Sequence, residues 1–288
     1  MRLLNKLRAG YPVLALIAAL VTATGPTVTA SAAPLPGAKH GPAAVATART
    51  ALEHLLAGMP HADGTPGCQG GTTSVDSPTW AGYADCSPSS GPALTCPPQL
   101  CYSGVAGSWL VPYLVRCEDC LAVSWLGLDG FSSSTMEQAG LLADQSGGST
   151  SYYTWWDMYP SGVHIVGTTV RAGDSISASV QREGTSYILS LTDATTPANS
   201  FTTTQSCTSC ANSSAEWITQ GQPGIPLADF GTWRVTGATA AAGSAPAGIG
   251  AFPCAQITMV GQSGRVMVQP GPLDGTGTSF ASTWRAST

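Results

Sequence analysis

From residue 40 to its C-terminus this 288-residue chain contains no lysine. Both lysines, Lys6 and Lys39, lie near the N-terminus, and from Ser77 onward six arginines face thirteen acidic residues, a balance of -7. A surface without basic patches cannot neutralise phosphates, which excludes a nucleic-acid partner and an anionic membrane surface. Charge of either sign is scarce: 9% of residues are charged, against about a quarter in ordinary soluble domains. Histidine is nearly absent as well. His40, His54 and His61 crowd the first quarter and leave His164 alone in the bulk of the chain. A multi-histidine metal centre is thereby excluded there, and a serine or cysteine triad would have to be built on that one residue.

Long apolar runs are also missing beyond the N-terminus. Arg2, Lys6 and Arg8 precede an apolar stretch from Val13 to Val21 and a small-residue site at Ala30-Ser31-Ala32, the pattern of a secretory signal over residues 1–32. The run is too short to span a bilayer. A secreted, extracellular protein with no membrane attachment after signal removal is expected, and its nine cysteines can then form disulfides. The close pairs Cys96/Cys101, Cys117/Cys120 and Cys207/Cys210 read as loop staples, and the odd count leaves one thiol over, with Cys68 as candidate. The spacing between the two C-x-x-C pairs is too long for a zinc ribbon. No metal or cofactor is expected.

Residues 33–72 are rich in Ala, Gly and Pro and carry one helical stretch from Ala43 to Ala57, with Val45, Ala48, Leu52, Leu55 and Leu56 on one stripe. This reads as a leader or pro-segment. From residue 73 to 288 the texture is β: short alternating runs such as Val105 to Val111, Leu121 to Leu128, Val163 to Val170, Ser175 to Val180 and Trp233 to Thr239, broken by Gly, Pro, Asp and Ser. Ten or more such strands predict an all-β, antiparallel two-sheet sandwich of lectin-like jelly-roll type in a single domain, expected as a monomer.

Polar residues inside apolar, aromatic surroundings mark where burial must be compensated. In Ser214 to Ile218, strand alternation puts Glu216 and Ile218 on one face and Ala215 and Trp217 on the other; in Glu137-Gln138 it sends the two side chains to opposite faces. On texture alone Glu216 could equally be a solvent-facing charge on a sheet edge.

Seven segments occur in order: Trp80-Ala81-Gly82-Tyr83, Trp109 to Pro112, Trp125 to Gly130, Glu137-Gln138-Ala139-Gly140, Trp156-Asp157-Met158-Tyr159-Pro160, Ser214 to Ile218 and Pro226 to Gly231. Together they resemble the glutamic peptidase (eqolisin) family. The resemblance implies two seven-stranded sheets, polypeptide substrates, and a catalytic Gln/Glu dyad that falls on Gln138 and Glu216. Trp80, Trp125 and Tyr159 become candidates to line a substrate groove, and Asp129 and Asp157 to support or border it. Two positions depart from the family pattern: Thr79 stands where Asn is usual, and Asp157 where Glu is usual. The sandwich also suits two other readings, a carbohydrate-binding module or a glycoside hydrolase using carboxylates such as Asp157 and Glu216.

Overall fold

The computed structural model describes residues 41–57, 71–86, 101–131, 133–243 and 245–288. The signal segment, most of the leader, Cys68 and Cys96 lie outside the described residues. A helix, α1 (Pro42–Ala57), precedes sixteen strands. The first eight are β1 (Thr72–Ser77), β2 (Trp80–Cys86), β3 (Tyr102–Leu110), β4 (Cys120–Leu128), β5 (Met136–Ser146), β6 (Ser149–Tyr159), β7 (Val163–Ile165) and β8 (Ser175–Glu183). The rest are β9 (Ser186–Asp193), β10 (Phe201–Ser206), β11 (Ser214–Gln220), β12 (Thr232–Ala242), β13 (Ala247–Gly248), β14 (Cys254–Val260), β15 (Val266–Pro270) and β16 (Phe280–Trp284).

The strands make an antiparallel two-layer β-sandwich. Hydrogen bonding runs along one path, β10-β9-β8-β3-β12-β16-β15-β14-β2-β11-β4-β5-β6-β7, with β13 on β12 and β1 parallel to β14. The two layers are therefore joined rather than separate. Residues Thr232 to Val235 of β12 pair with β16, and from Thr236 onward the strand pairs with β3 in the other layer, with a register shift between Thr236 and Thr239.

Alternation decides what fills the space between the layers. Ala122, Leu126 and Leu128 of β4, Ala139 and Leu141 of β5, and Ala215 and Trp217 of β11 point inward and meet Val105, Ile176, Val180, Leu189 and Leu191 of the facing layer. Burying each such side chain fully contributes about 1.5–3 kcal/mol. Trp217 also crosses the gap with a polar contact, its Nε1 donating to the Ala106 carbonyl at 2.9 Å. A chain of edge-to-face aromatic contacts, Trp109 to Trp233 to Phe280 to Tyr83, runs through the same layer.

The opposite face of the larger layer carries a second apolar cluster containing Trp80, Trp125, Leu142, Tyr153, Trp155, Val163 and Ile218. Helix α1 contributes Ala48 and Leu52 to this cluster, with Val45 partly buried, and it packs at the β7 end. Leu52 is a stripe residue of the expected helix, and the observed helix starts one residue earlier, at Pro42, a position where its missing N–H costs nothing.

One expectation changes. The strand read over Val163 to Val170 ends at Ile165. The reason is Thr154, whose Oγ1 takes the Gly167 N–H and donates to the Asn199 carbonyl, turning the chain out of the sheet. The Cys117/Cys120 and Cys207/Cys210 staples are formed, and Cys86 and Cys101 are also disulfide-bonded. The free thiol among the described residues is Cys254, buried with its Sγ 3.4 Å from the Thr72 hydroxyl.

Close strand approach depends on Gly140, where a Cβ would stand 2.5 Å from both the Ser124 carbonyl oxygen and Trp125 Cβ. Gly140→Ala is expected to lower unfolding free energy by about 3 kcal/mol, the upper range for overpacking. Gly275→Ala, with nothing within 4 Å, is the control, and urea unfolding of both variants is the measurement.

Candidate active site

The register across four strands assembles the polar residues singled out from sequence. Glu216 pairs with Gly127, Gly127 with Gln138, and Gln138 with Asp157. Directly paired residues of antiparallel strands share a face. The side chains of Glu216, Gln138 and Asp157 thus stand in one row across β11, β5 and β6, on the face that carries Trp80 and Trp125. Between Glu216 and Gln138 lies Gly127, which has no side chain, so the two groups face each other across about 9–10 Å of backbone, two interstrand spacings. Sequence motif and alternation did not single out Gly127. A Cβ there would stand 2.7 Å from the Glu137 carbonyl oxygen and 3.0 Å from Gln138 Cβ.

All three polar groups are buried, Glu216 and Gln138 at 0% exposure and Asp157 at 1%. Glu216 Oε1 accepts the Phe131 N–H at 3.2 Å, and Gln138 Nε2 donates to Asp157 Oδ2 at 3.1 Å. The remaining oxygens, Glu216 Oε2, Gln138 Oε1 and Asp157 Oδ1, have no hydrogen-bond partner among the described residues. Unpaired buried acceptors cost free energy unless a ligand or solvent donor meets them.

Around the row the aromatic candidates separate by role. Trp80 and Trp125 meet edge to face at a centroid distance of 5.2 Å, and Trp125 Nε1 donates to Gln220 Oε1 at 2.8 Å. Gln220 shares their face and fixes the Trp125 ring, a contact no sequence motif announced. Tyr159 lies half-buried at the end of β6, paired with Met136 one step beyond the row. His164 is exposed and stacks on Trp156 on the other side of β6 and β7.

Asp129 does not join the row. It occupies a left-handed conformation (φ 66°) just after β4, is fully buried, and accepts the backbone N–H groups of Asn212 and Ser213 at 2.7 Å each, with the Ser213 and Thr135 hydroxyls. Its carboxylate ties the end of β4 to the start of β11, and so sets where Glu216 begins. Asn212-Ser213-Ser214 has the pattern of a glycosylation sequon, but the Asn212 side chain is spent internally. It donates to the Cys210 carbonyl and accepts from the Tyr187 hydroxyl, and with the residue 4% exposed, glycan attachment has no room.

Burial dominates the electrostatics. It pushes Glu216 well above the usual carboxylate range, and the nearby Asp129 and Asp85 carboxyls push the same way. Glu137, on the opposite face of β5, is raised by burial and by Asp129, and Asp85 by burial. Burial raises Asp157 to about 6 against the hydrogen bond from Gln138. The groups acting on these carboxyls are other carboxyls and hydrogen-bond donors, with no guanidinium among them. Glu137 together with Cys207 and Cys210 offers three ligand atoms within 4.8 Å, but the two sulfurs are joined in a disulfide and do not fit a metal ion.

Each of these acids holds its proton to higher pH when folded than when unfolded. Their stabilisation is complete below the unfolded-state values near about pH 4 and is lost as pH rises through the folded-state values. For Asp157 that value is about 6, and for Glu216, Glu137 and Asp85 burial holds it well above the usual carboxylate range. Thermal unfolding is therefore expected at its highest temperature near about pH 3–4, falling steadily towards about pH 7. Calorimetry across that range checks it, and a flat or rising profile contradicts the assignment.

Comparison with known proteins now bears on this geometry. The model of the Peptidase A4 family matches residues 87–278. Among solved structures, scytalido-glutamic peptidase bound to a transition state analog inhibitor superposes with a TM-score of 0.59 at 18% identity, covering 72% of this chain and 98% of that one. SCP-B, a member of the eqolisin family solved with the tripeptide Ala-Ile-His, gives 0.57 at 17%, with the same coverage. Aspergilloglutamic peptidase from Aspergillus niger gives 0.50 at 28% identity, covering 58% of this chain and all of its own. No curated protein matches the chain. At 17–18% identity the first two show the fold, while the family match spans most of the β-domain and sets aside the carbohydrate readings. The chain belongs to the Peptidase A4 family and is a glutamic-type peptidase acting on polypeptides.

Proposed function

We propose that the protein is a secreted acid endopeptidase in which Glu216 and Gln138 act as the catalytic dyad on a water molecule. The observation that carries this reading is the row: Glu216 and Gln138 flank the side-chain-free Gly127 on one face, each with an unpaired oxygen. Ionised Glu216 takes a proton from the water as its oxygen bonds to the scissile carbonyl carbon. The Gln138 amide donates a hydrogen bond to the oxyanion of the tetrahedral intermediate. Glu216 then passes its proton to the amine nitrogen as the C–N bond breaks, releasing a carboxylic acid and an amine.

The raised proton affinity of Glu216 serves both halves. It makes the carboxylate a stronger base, and it keeps the acid form available in the acidic range. Water and substrate reaching the row restore hydration and relieve the burial that raises it.

Trp80, Trp125 and Tyr159 supply apolar walls that hold an extended chain beside the row. The signal pattern at residues 1–32 supports secretion. Residues 33–72 serve as a leader whose helix α1 packs on this same face, so a polypeptide reaching the β7 end of the groove competes with α1.

Hydrolysis of a denatured protein at about pH 3–4 tests the dyad. Glu216→Gln is expected to abolish turnover, and Gln138→Ala to lower kcat by roughly 10²–10³-fold, the cost of losing one oxyanion donor. Wild-type rates in both variants would refute the reading.

A further inference from the structure

The amide of Gln138 has two ends with opposite chemistry, an acceptor oxygen and a donor nitrogen. What sets its orientation is Asp157, directly opposite in the register, 1% exposed, and holding Nε2 through Oδ2 at 3.1 Å. An ionised carboxylate can only accept, so it must take the N–H end and leave Oε1 turned to the groove. A protonated carboxyl can also donate, through its O–H, to Oε1, and the amide then presents Nε2 instead. Nothing else fixes the choice, because neither Gln138 Oε1 nor Asp157 Oδ1 has another partner among the described residues.

Resting on the dyad reading above, we propose that Asp157 is a positioning residue whose proton decides which end of the Gln138 amide faces the scissile bond. Protonated Asp157 presents the donor that the oxyanion needs. Ionised Asp157 presents an acceptor oxygen, which repels it. Loss of activity towards neutral pH then arises at Asp157, through Gln138.

The surroundings of Asp157 agree with this role. Burial raises its proton affinity, while the hydrogen bond from the Gln138 amide opposes it, leaving the carboxyl at about 6. From β7 the paired residue is uncharged Val163. His164 stacks against Trp156 on the far side of β6. On β5, Glu137 points to the opposite face, and from β11 Glu216 stands across Gly127. The shorter Asp, where the family pattern has Glu, reaches the amide from this strand without passing it.

Steady-state peptide hydrolysis between about pH 3 and 8 tests the proposal on wild type, D157N, D157A, D157E and E216Q. D157N is nearly isosteric, cannot ionise, and can donate to Oε1 at every pH. Its basic limb of kcat is expected to move up by at least about one pH unit. D157A is expected to lower kcat by more than about tenfold with KM changed less than about twofold, and D157E to recover part of that loss with a pH-dependent limb. An unmoved basic limb in D157N, or a D157A effect confined to KM, would overturn the proposal while an inactive E216Q leaves the dyad standing. An active E216Q would instead remove the dyad, and the proposal with it. Circular dichroism at about pH 4 separates folding failure from catalytic loss, and D157N keeps the proposal testable should D157A unfold.

Discussion

The register of β11, β4, β5 and β6 is the constraint on which the site depends. Side chains alternate across a strand, so a slip of one residue in any of the three pairings would send Glu216, Gln138 or Asp157 into the space between the layers and bring an apolar neighbour onto the face that carries Trp80 and Trp125. Two glycines and one acid hold that register. Gly127 and Gly140 allow β4 and β5 to approach where any Cβ would strike backbone, and Asp129 clamps the end of β4 to the chain entering β11. The Trp217 contact to the other layer pins β11 in the remaining direction.

That arrangement carries an electrostatic cost which selects the working conditions. Among the described residues, Asp85, Glu137, Asp157 and Glu216 are buried without cationic partners, in a domain with no lysine. Such groups are tolerable when protonated and costly when ionised. The fold is therefore favoured by acid. The lack of lysine and the shortage of histidine also limit the positive charge that accumulates as carboxylates are protonated, which reduces self-repulsion in acid.

Much of the fold was legible in the alternation. The strands around Leu121 to Leu128, Ser175 to Val180 and Trp233 to Thr239 follow the period of two, and the helix stripe through Leu52 follows the period of three to four. Of the candidate site, the motifs marked Gln138 and Glu216, and alternation separated Glu137 from Gln138. What escaped were roles set by distant partners. Asp129 reads locally as a turn residue before Gly130 and serves as a clamp on Asn212 and Ser213, more than eighty positions away. The end of β7 depends on Thr154 and Asn199, which no local pattern connects.

The sequence by itself determined the class of strands, their inward and outward faces, the chemical types available for catalysis and the exclusion of lysine and multi-histidine chemistry, because these follow from composition and short-range periodicity. Only the tertiary structure decided that Glu216, Gly127, Gln138 and Asp157 fall in one row, that α1 lies on their face, and that Cys254 is a buried free thiol. These depend on which strands become neighbours and in what register, quantities fixed by long-range pairing and packing.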